Sequence, residues 1–535
     1  NHEPTWYRII GTTHYDNPAT DSESSIEGYG LRFTLANGSI NPGVCSDCHG
    51  HEANAGTRTG QNTPTLYTDW AQSGHARGIL TAKYAAAAAN PVDTSLPRTD
   101  PVRTAQGLKQ VDAVMAAGVA GGAFAGHEGT SCGRCHTTEG FSAFFTTFST
   151  ANMGTTPGVL KCYGCHSNAG AGILRTMKGA NPATDYSYAS SATGWNPKVA
   201  LDAGASGYKL NYGKSPYPDM GRSNACIFCH DSREKDPGAI TDASTNYQRT
   251  HYLQAATTMF VKMGFITFAP GSIPGVEIDK TLLSDQDGGT ITSTHRKLGT
   301  PAMIGNEGIT AKDKKLTSGG PCVSCHFSAS HSQEIDQRSI DAVCIRCHDS
   351  EMGHSLSKEA DFKQYFLEPQ SEAYQAALTL AINIFNNMGT GITIAAEPAP
   401  LDEFVRAYKT GTTTEAGAAD WTAAMAVLGS NYNKARVMGA VSNIVYFKRD
   451  PGAFVHARTY SRRLIYDTID YLDDGTMNGS TGATALATMP SVYGKGASAF
   501  TDGTLTVFAP GTTEAMVYLI RWSRATGAWS TPERP

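Results

Sequence analysis

All 12 cysteines of this chain stand in six copies of one pattern, Cys-x-x-Cys-His, and none is left over. The copies are Cys45-Cys48-His49, Cys132-Cys135-His136, Cys162-Cys165-His166, Cys226-Cys229-His230, Cys322-Cys325-His326 and Cys344-Cys347-His348. This is the attachment signature of c-type haem. Two thiols add to the vinyl groups of one rigid macrocycle and the adjoining imidazole reaches its iron, so the spacing cannot drift. A zinc ribbon also pairs cysteines this way but does not demand histidine after every pair. A thioredoxin-like motif occurs once, beside a βαβ pattern. The sequence therefore predicts six haem c groups, with His49, His136, His166, His230, His326 and His348 as proximal iron ligands.

Charged residues are 17% of the chain, against about 25% in an average soluble protein. Glycine is plentiful, with 56 residues. That balance fits a polypeptide wrapping apolar discs in irregular turns. The formal net charge is −5, which gives no basis for nucleic-acid binding. No apolar run approaches the roughly 18–20 residues of a membrane span; the longest, Leu378 to Phe385, is far shorter. The expectation is a chain that does not span a membrane. Thioether attachment takes place outside the cytoplasm, so export is expected. Residues 1–10 lack the basic and apolar regions of a signal peptide, as a processed chain would. The expected location is extracellular or at the cell surface, with the periplasm as the alternative.

Three stretches are expected. Residues 1–40 carry no motif and read as an extended N-terminal arm holding His2 and His14, suited to bridging subunits. Residues 41–355 carry all six motifs. Residues 356–535 hold no cysteine, and apolar residues recur there at helical spacing over 371–388, 435–447 and 454–472, with His456 in the first turn of the last. Helices are also expected at 80–90, broken by Pro91, at 111–120, and from the Arg249–Ala256 segment, which carries His251, to Met263. Residues 504–529 alternate as one or two strands. Phe141, Phe144, Phe145 and Phe148 form a small apolar cluster expected to pack on porphyrin. The expected fold class is a multihaem cytochrome c. It is loop-rich, with low regular secondary structure and short α-helices wrapped around a stacked haem chain, plus a mainly α C-terminal haem-free region.

Of 16 histidines, ten lie outside the motifs: His2, His14, His51, His75, His127, His251, His295, His331, His354 and His456. A histidine in an average protein is a surface or core residue more often than a ligand. Six irons that each need a second axial group weaken that prior. Methionine is the rival ligand and raises haem potential, but the 14 methionines keep no constant offset from the motifs. Local context ranks His75, His251, His295 and His331 first as distal ligands, then His51, then His354, His127, His456, His14 and His2. His51 stands two residues after His49, badly placed for the other face of the same iron, so it is expected to serve a neighbouring haem.

Trp70–Ala76 (WAQSGHA), Cys132–Phe141 (CGRCHTTEGF), Thr250–Ala256 (THYLQAA), Pro321–His331 (PCVSCHFSASH) and the block from Asp450 to Gly475 resemble segments of exported multihaem c-type cytochromes of metal-respiring bacteria. The CHGH at Cys48–His51 is similar to a pattern in the filament-forming, nanowire hexahaem cytochromes of OmcS type. That resemblance implies haems stacked in alternating parallel and T-shaped pairs. It also implies a homopolymer joined through end-to-end haem contacts, with a histidine of one subunit ligating a haem of the next. The C-terminal region without cysteine departs from that pattern.

Irons closed by histidine on both faces leave no position for a substrate. The expected function is extracellular electron transfer by hopping between haems, with surface or periplasmic redox partners, and not enzyme catalysis. The alternative is a reductase of a nitrogen or sulfur oxyanion, which needs one five-coordinate haem beside acid or cationic groups. A haem-bearing adhesin comes third, because residues 356–535 show no carbohydrate or metal motif.

Overall fold

The structure is a computed structural model. It describes residues 69–70, 72–76, 81–97, 100–119, 133–138, 140–142, 160–168, 173–174, 221–231, 237–261, 263–268, 294–299, 320–327, 331–351, 353–399, 401–481, 484–485, 500–502, 505–508, 514–519, 521–523 and 528–530. The expected arm over 1–40, with His2 and His14, lies outside the described residues, as do Cys45, Cys48, His49, His51, His127, Cys132, Phe144, Phe145 and Phe148. Two compact units emerge. One comprises residues 1–208, 216–228 and 299–347, the other 209–215, 229–298 and 348–535.

In the first unit α1 (Thr81–Ala88) packs on α2 (Pro101–Val119). The alanine run drives α1, since alanine loses least on entering a helix. Pro101 opens α2 in a turn where its missing N–H costs nothing, and Asp100 Oδ1 accepts the Val102 N–H at 2.8 Å. The helix expected at 111–120 thus begins at Pro101. Its first half is polar enough to hide the periodicity. Trp70, Ala76, Ala87, Val111 and Val114 form a small core between the two helices. Gln110 Nε2 donates to the Ala87 and Asn90 carbonyls, both at 2.9 Å, closing the end of α1. Elsewhere the described elements of this unit are short, among them Gly133–His136, Cys162–Cys165 and Gln337–Ala342.

The second unit has a larger core. Along its main helix every residue from Val437 to Phe447 is buried, as expected for a helix surrounded on all sides. Its neighbours are Glu368–Asn386, Ala418–Val427 and Arg458–Asp474. A Cβ at Gly439 would lie 2.3 Å from the Phe265 ring, so the helix has glycine where that ring packs. Ile392–Ala396 and Val405–Lys409 pair as an antiparallel hairpin with Ile394 opposite Ala407. Helix Glu359–Phe362 runs through a π turn, Lys363–Leu367, into Glu368–Asn386. Pro369 lacks the N–H that would bond back to Tyr365 and its ring crowds that carbonyl, which accounts for the widened turn. Among the described residues no helix is long and apolar enough to cross a membrane.

Two expected helices are shorter. The one running to Met263 reduces to Ala255–Met259, because Val261 adopts φ +50°, outside the helical region. The one over 454–472 divides into Ala453–His456 and Arg458–Asp474, because Ala457 is extended, at φ −153° and ψ 75°. Residues 504–529 give strands Leu505–Phe508, Arg521–Ser523 and Ala528–Ser530, with helix Glu514–Leu519 among them.

Candidate metal centres

The described motifs fold as tight helical turns. α3 (Asn224–His230) and α4 (Gly320–His326) end on their histidines, Cys162–Cys165 is a single turn before His166, and Cys344–Arg346 is a 3-10 turn ahead of His348. Residues three apart on a helical turn share a face, which lets both sulfurs of a motif meet one disc. In the first unit the thiols of four motifs converge. Cys226 hydrogen-bonds Cys322 and lies beside Cys165, and Cys325 lies beside Cys344. The bond to Cys322 and desolvation raise the Cys226 thiol well above its ordinary value, and desolvation pushes Cys165 and Cys344 up to about 11.

Two pairs of imidazoles face each other. His166 and His331 have ring centres 6.2 Å apart with planes at 30°. His295 and His348 are 6.1 Å apart with planes at 71°. A metal held at about 2.0 Å by one nitrogen of each ring sets the centres about 6.3 Å apart. Both spacings fit one iron between the rings, and each pair joins a motif histidine to a distal candidate.

The far sides of the rings agree with this. His230 Nδ1 lies 2.7 Å from the Leu253 carbonyl, His326 Nδ1 2.7 Å from that of Gln333, His295 Nδ1 2.8 Å from that of Val455, and His251 Nδ1 3.2 Å from that of Tyr252. A carbonyl only accepts, so Nδ1–H donates in each case and Nε2 keeps its lone pair for a metal. His456 Nδ1 sits 3.0 and 3.1 Å from the two carboxylate oxygens of the buried Asp450, with the same consequence. Burial holds His230, His295 and His348 below the ordinary imidazole value, favouring the neutral form that binds metal.

The remaining described candidates are placed as follows. His75 is half-buried, with Nδ1 2.6 Å from the Gln333 side-chain amide. His354 stacks on Tyr365 at 3.7 Å between ring centres and 6° between planes. The neighbouring Phe366 lies 4.6 Å from the His348 ring, so the π turn supplies aromatic contacts to two histidines. His136 ends the helix Gly133–His136, and Phe141 meets Phe228 edge-on at 5.5 Å.

A buried ion-pair network supports the segment carrying His251. Arg449 pairs with Glu397, donates to the Thr250 carbonyl and lies 4.4 Å from the centre of the Tyr252 ring. Tyr252 Oη donates to Glu397 at 2.6 Å, and Arg406 closes on the same carboxylate at 2.7 Å. Leu253, Gln333, Val455 and Asp450 escape sequence reasoning. A carbonyl acceptor has no residue identity, and the Val455 carbonyl is available only because the helix breaks at Ala457, leaving its last carbonyls without intrahelical partners.

Residues 1–175 match the family described as C-type polyheme cytochrome domain 2. The chain is similar to the C-type polyheme cytochrome OmcB of Geobacter sulfurreducens, 32% identical over 528 residues, with 90% of this chain and 62% of that one covered. It is also similar to the C-type polyheme cytochrome OmcC of the same organism, 29% identical over 533 residues, with 90% and 60% covered. The chain thus spans about three fifths of the length of the curated relatives it matches. No solved structure gives a match.

Proposed function

Because the chain is a multihaem c-type cytochrome, we propose that it conducts electrons outside the cytoplasm through six haems, each closed by two histidines. The observation that carries this reading is the pair of imidazole couples, His166 with His331 and His295 with His348, at 6.2 and 6.1 Å. With an imidazole on each side, an iron held between the rings would have no position left for a substrate. Each haem, when bound, supplies a one-electron iron couple. The cysteine pairs would fix each disc, the motif histidines would supply one ligand to its iron, and the distal histidines would supply the other. His456, polarised by Asp450, would be a strong imidazole donor and would favour the ferric state of an iron it ligated. The gathering of Cys165, Cys226, Cys322, Cys325 and Cys344 supports this reading, since haems attached there would have edges close together and short hops between them.

Within this reading residues 41–355 are the haem-binding stretch and residues 356–535 a helical region without haem. The resemblance to nanowire cytochromes extends it to end-to-end assembly, with His2 or His14 of the arm reaching a neighbouring subunit and redox partners meeting the outer surface. Electron microscopy of the purified protein tests the assembly directly, since a uniform population of monomers removes it.

The test of conduction uses the haem-loaded protein. Intact mass should show six haems, and the ferric EPR spectrum should be wholly low-spin. The pair at 30° should give a rhombic signal and the pair at 71° one with a much larger principal g value. His331→Ala and His295→Ala should each convert one centre to high spin and remove the corresponding signal. A high-spin centre already present in the unaltered protein, with turnover of nitrite, hydroxylamine or tetrathionate, would replace this reading with the reductase.

A further inference from the structure

Three described residues other than glycine take positive φ: Leu253 at 52°, Val261 at 50° and Gln333 at 63°. Left-handed backbone crowds the Cβ of a residue that has one against the following carbonyl, so something must hold it there. Two of the three share a context. Leu253 follows His251 by two residues, and its carbonyl accepts the His230 Nδ1–H at 2.7 Å. Gln333 follows His331 by two residues, and its carbonyl accepts the His326 Nδ1–H at 2.7 Å. Packing does not explain the strain at Leu253, a residue that is 42% exposed. What its backbone does is aim a carbonyl at a motif histidine while its N–H donates to the Arg449 carbonyl at 2.8 Å.

We propose that each tripeptide, His331-Ser332-Gln333 and His251-Tyr252-Leu253, is a clamp serving two haems: its histidine ligates one iron, and the left-handed residue two positions on is a positioning residue for the proximal histidine of another. This rests on the assignment of these histidines as ligands. His331 faces His166, so the first clamp joins the haem of His166 to that of His326. Gln333 makes a further link, because its side-chain amide lies 2.6 Å from His75 Nδ1. Amide oxygen and nitrogen exchange by a half-turn, and the orientation presenting Oε1 to Nδ1–H leaves His75 Nε2 for a metal. Two ligands of one iron keep their Nδ1 atoms about 8 Å apart with the macrocycle between them. A single residue touching both His75 and His326 therefore serves two different haems. A hydrogen bond to Nδ1–H makes an imidazole a stronger donor, which lowers the potential of its iron. The clamp thus sets the potentials of neighbouring centres together.

The experiment is a spectropotentiometric titration of the haem-loaded full chain, with ferric EPR alongside. Gln333→Val disfavours φ above zero, so the carbonyl should swing off His326 and disturb His331. The midpoints of the haems of His166 and His326 should then rise together, the larger by about a tenfold change in the reduced-to-oxidised ratio at fixed potential, 59 mV for one electron, and that of the haem of His75 should shift as well, because the variant also lacks the side-chain amide. Gln333→Gly accepts this backbone freely. It should restore both midpoints and leave a shift only at the haem of His75. Leu253→Val and Leu253→Gly should repeat the contrast at the haem of His230, and a Val variant that fails to load haem is replaced by Ala. Equal titrations for the Val or Ala and Gly variants at both positions would overturn the clamp. If His331→Ala leaves every centre low-spin, the ligand assignment itself has failed, and that outcome is separate.

Discussion

The helices between Glu368 and Asp474 and the turns that carry the cysteine pairs are stabilised by different partners. In the helical stretch side chains bury against one another: Tyr374, Phe385, Trp421, Tyr446 and Tyr460 are all fully buried. Around the motifs the described elements are a turn or two long, and what converges there is sulfur and imidazole, with few apolar side chains such as Phe141, Ile227 and Phe228. A stretch with its own apolar core can fold on that core. A stretch whose core is a disc of porphyrin has most of its burial energy in the cofactor.

The largest test of that contrast is removal of the haems. Chain produced without haem attachment should be cut rapidly within residues 133–168 and 320–348, while a fragment spanning 368–474 resists protease. Limited proteolysis followed by mass spectrometry reads this, and digestion at one uniform rate would erase the distinction. Next in size is Trp421→Ala. Trp421 is fully buried and its Nε1 donates to Asn246 Oδ1 at 2.6 Å, so the helical stretch should lose about 3–5 kcal/mol. Far-UV circular dichroism should show the lower melting point while the Soret band at room temperature stays in place. The smallest is Asp336→Ala in the motif-bearing unit. Asp336 caps helix Gln337–Ala342 by accepting the Arg338 and Ser339 N–H groups, and losing such a cap costs about 1 kcal/mol. Hydrogen exchange should quicken across 337–342 and remain unchanged across 368–474. An equal change in both would mean that the two stretches unfold as one.

The same contrast explains what was legible. Helical spacing at 371–388 and 435–447 found Glu368–Asn386 and Lys434–Lys448 within a few residues, because those helices bury one another and so carry apolar periodicity. The break at Ala457 left no mark, since its neighbours keep that periodicity and only the conformation of one residue ends the helix. Of the histidines that local context ranks first, His331 lies beside the His166 ring and His295 beside the His348 ring, which only the folded chain reveals. The partner of His456 is not legible in sequence: Asp450 stands in the Asp450-Pro451-Gly452 turn before the helix, yet its carboxylate is buried and lies 3.0 Å from the His456 ring.

The sequence by itself determined the chemistry, because attaching a rigid macrocycle through two sulfurs and an imidazole requires three particular residue types at fixed spacing. The tertiary structure decided which imidazoles oppose one another and which carbonyls orient them. Those choices depend on chain segments far apart in sequence and on backbone angles at Leu253, Gln333 and Ala457, and neither is encoded in the residue types of the motifs.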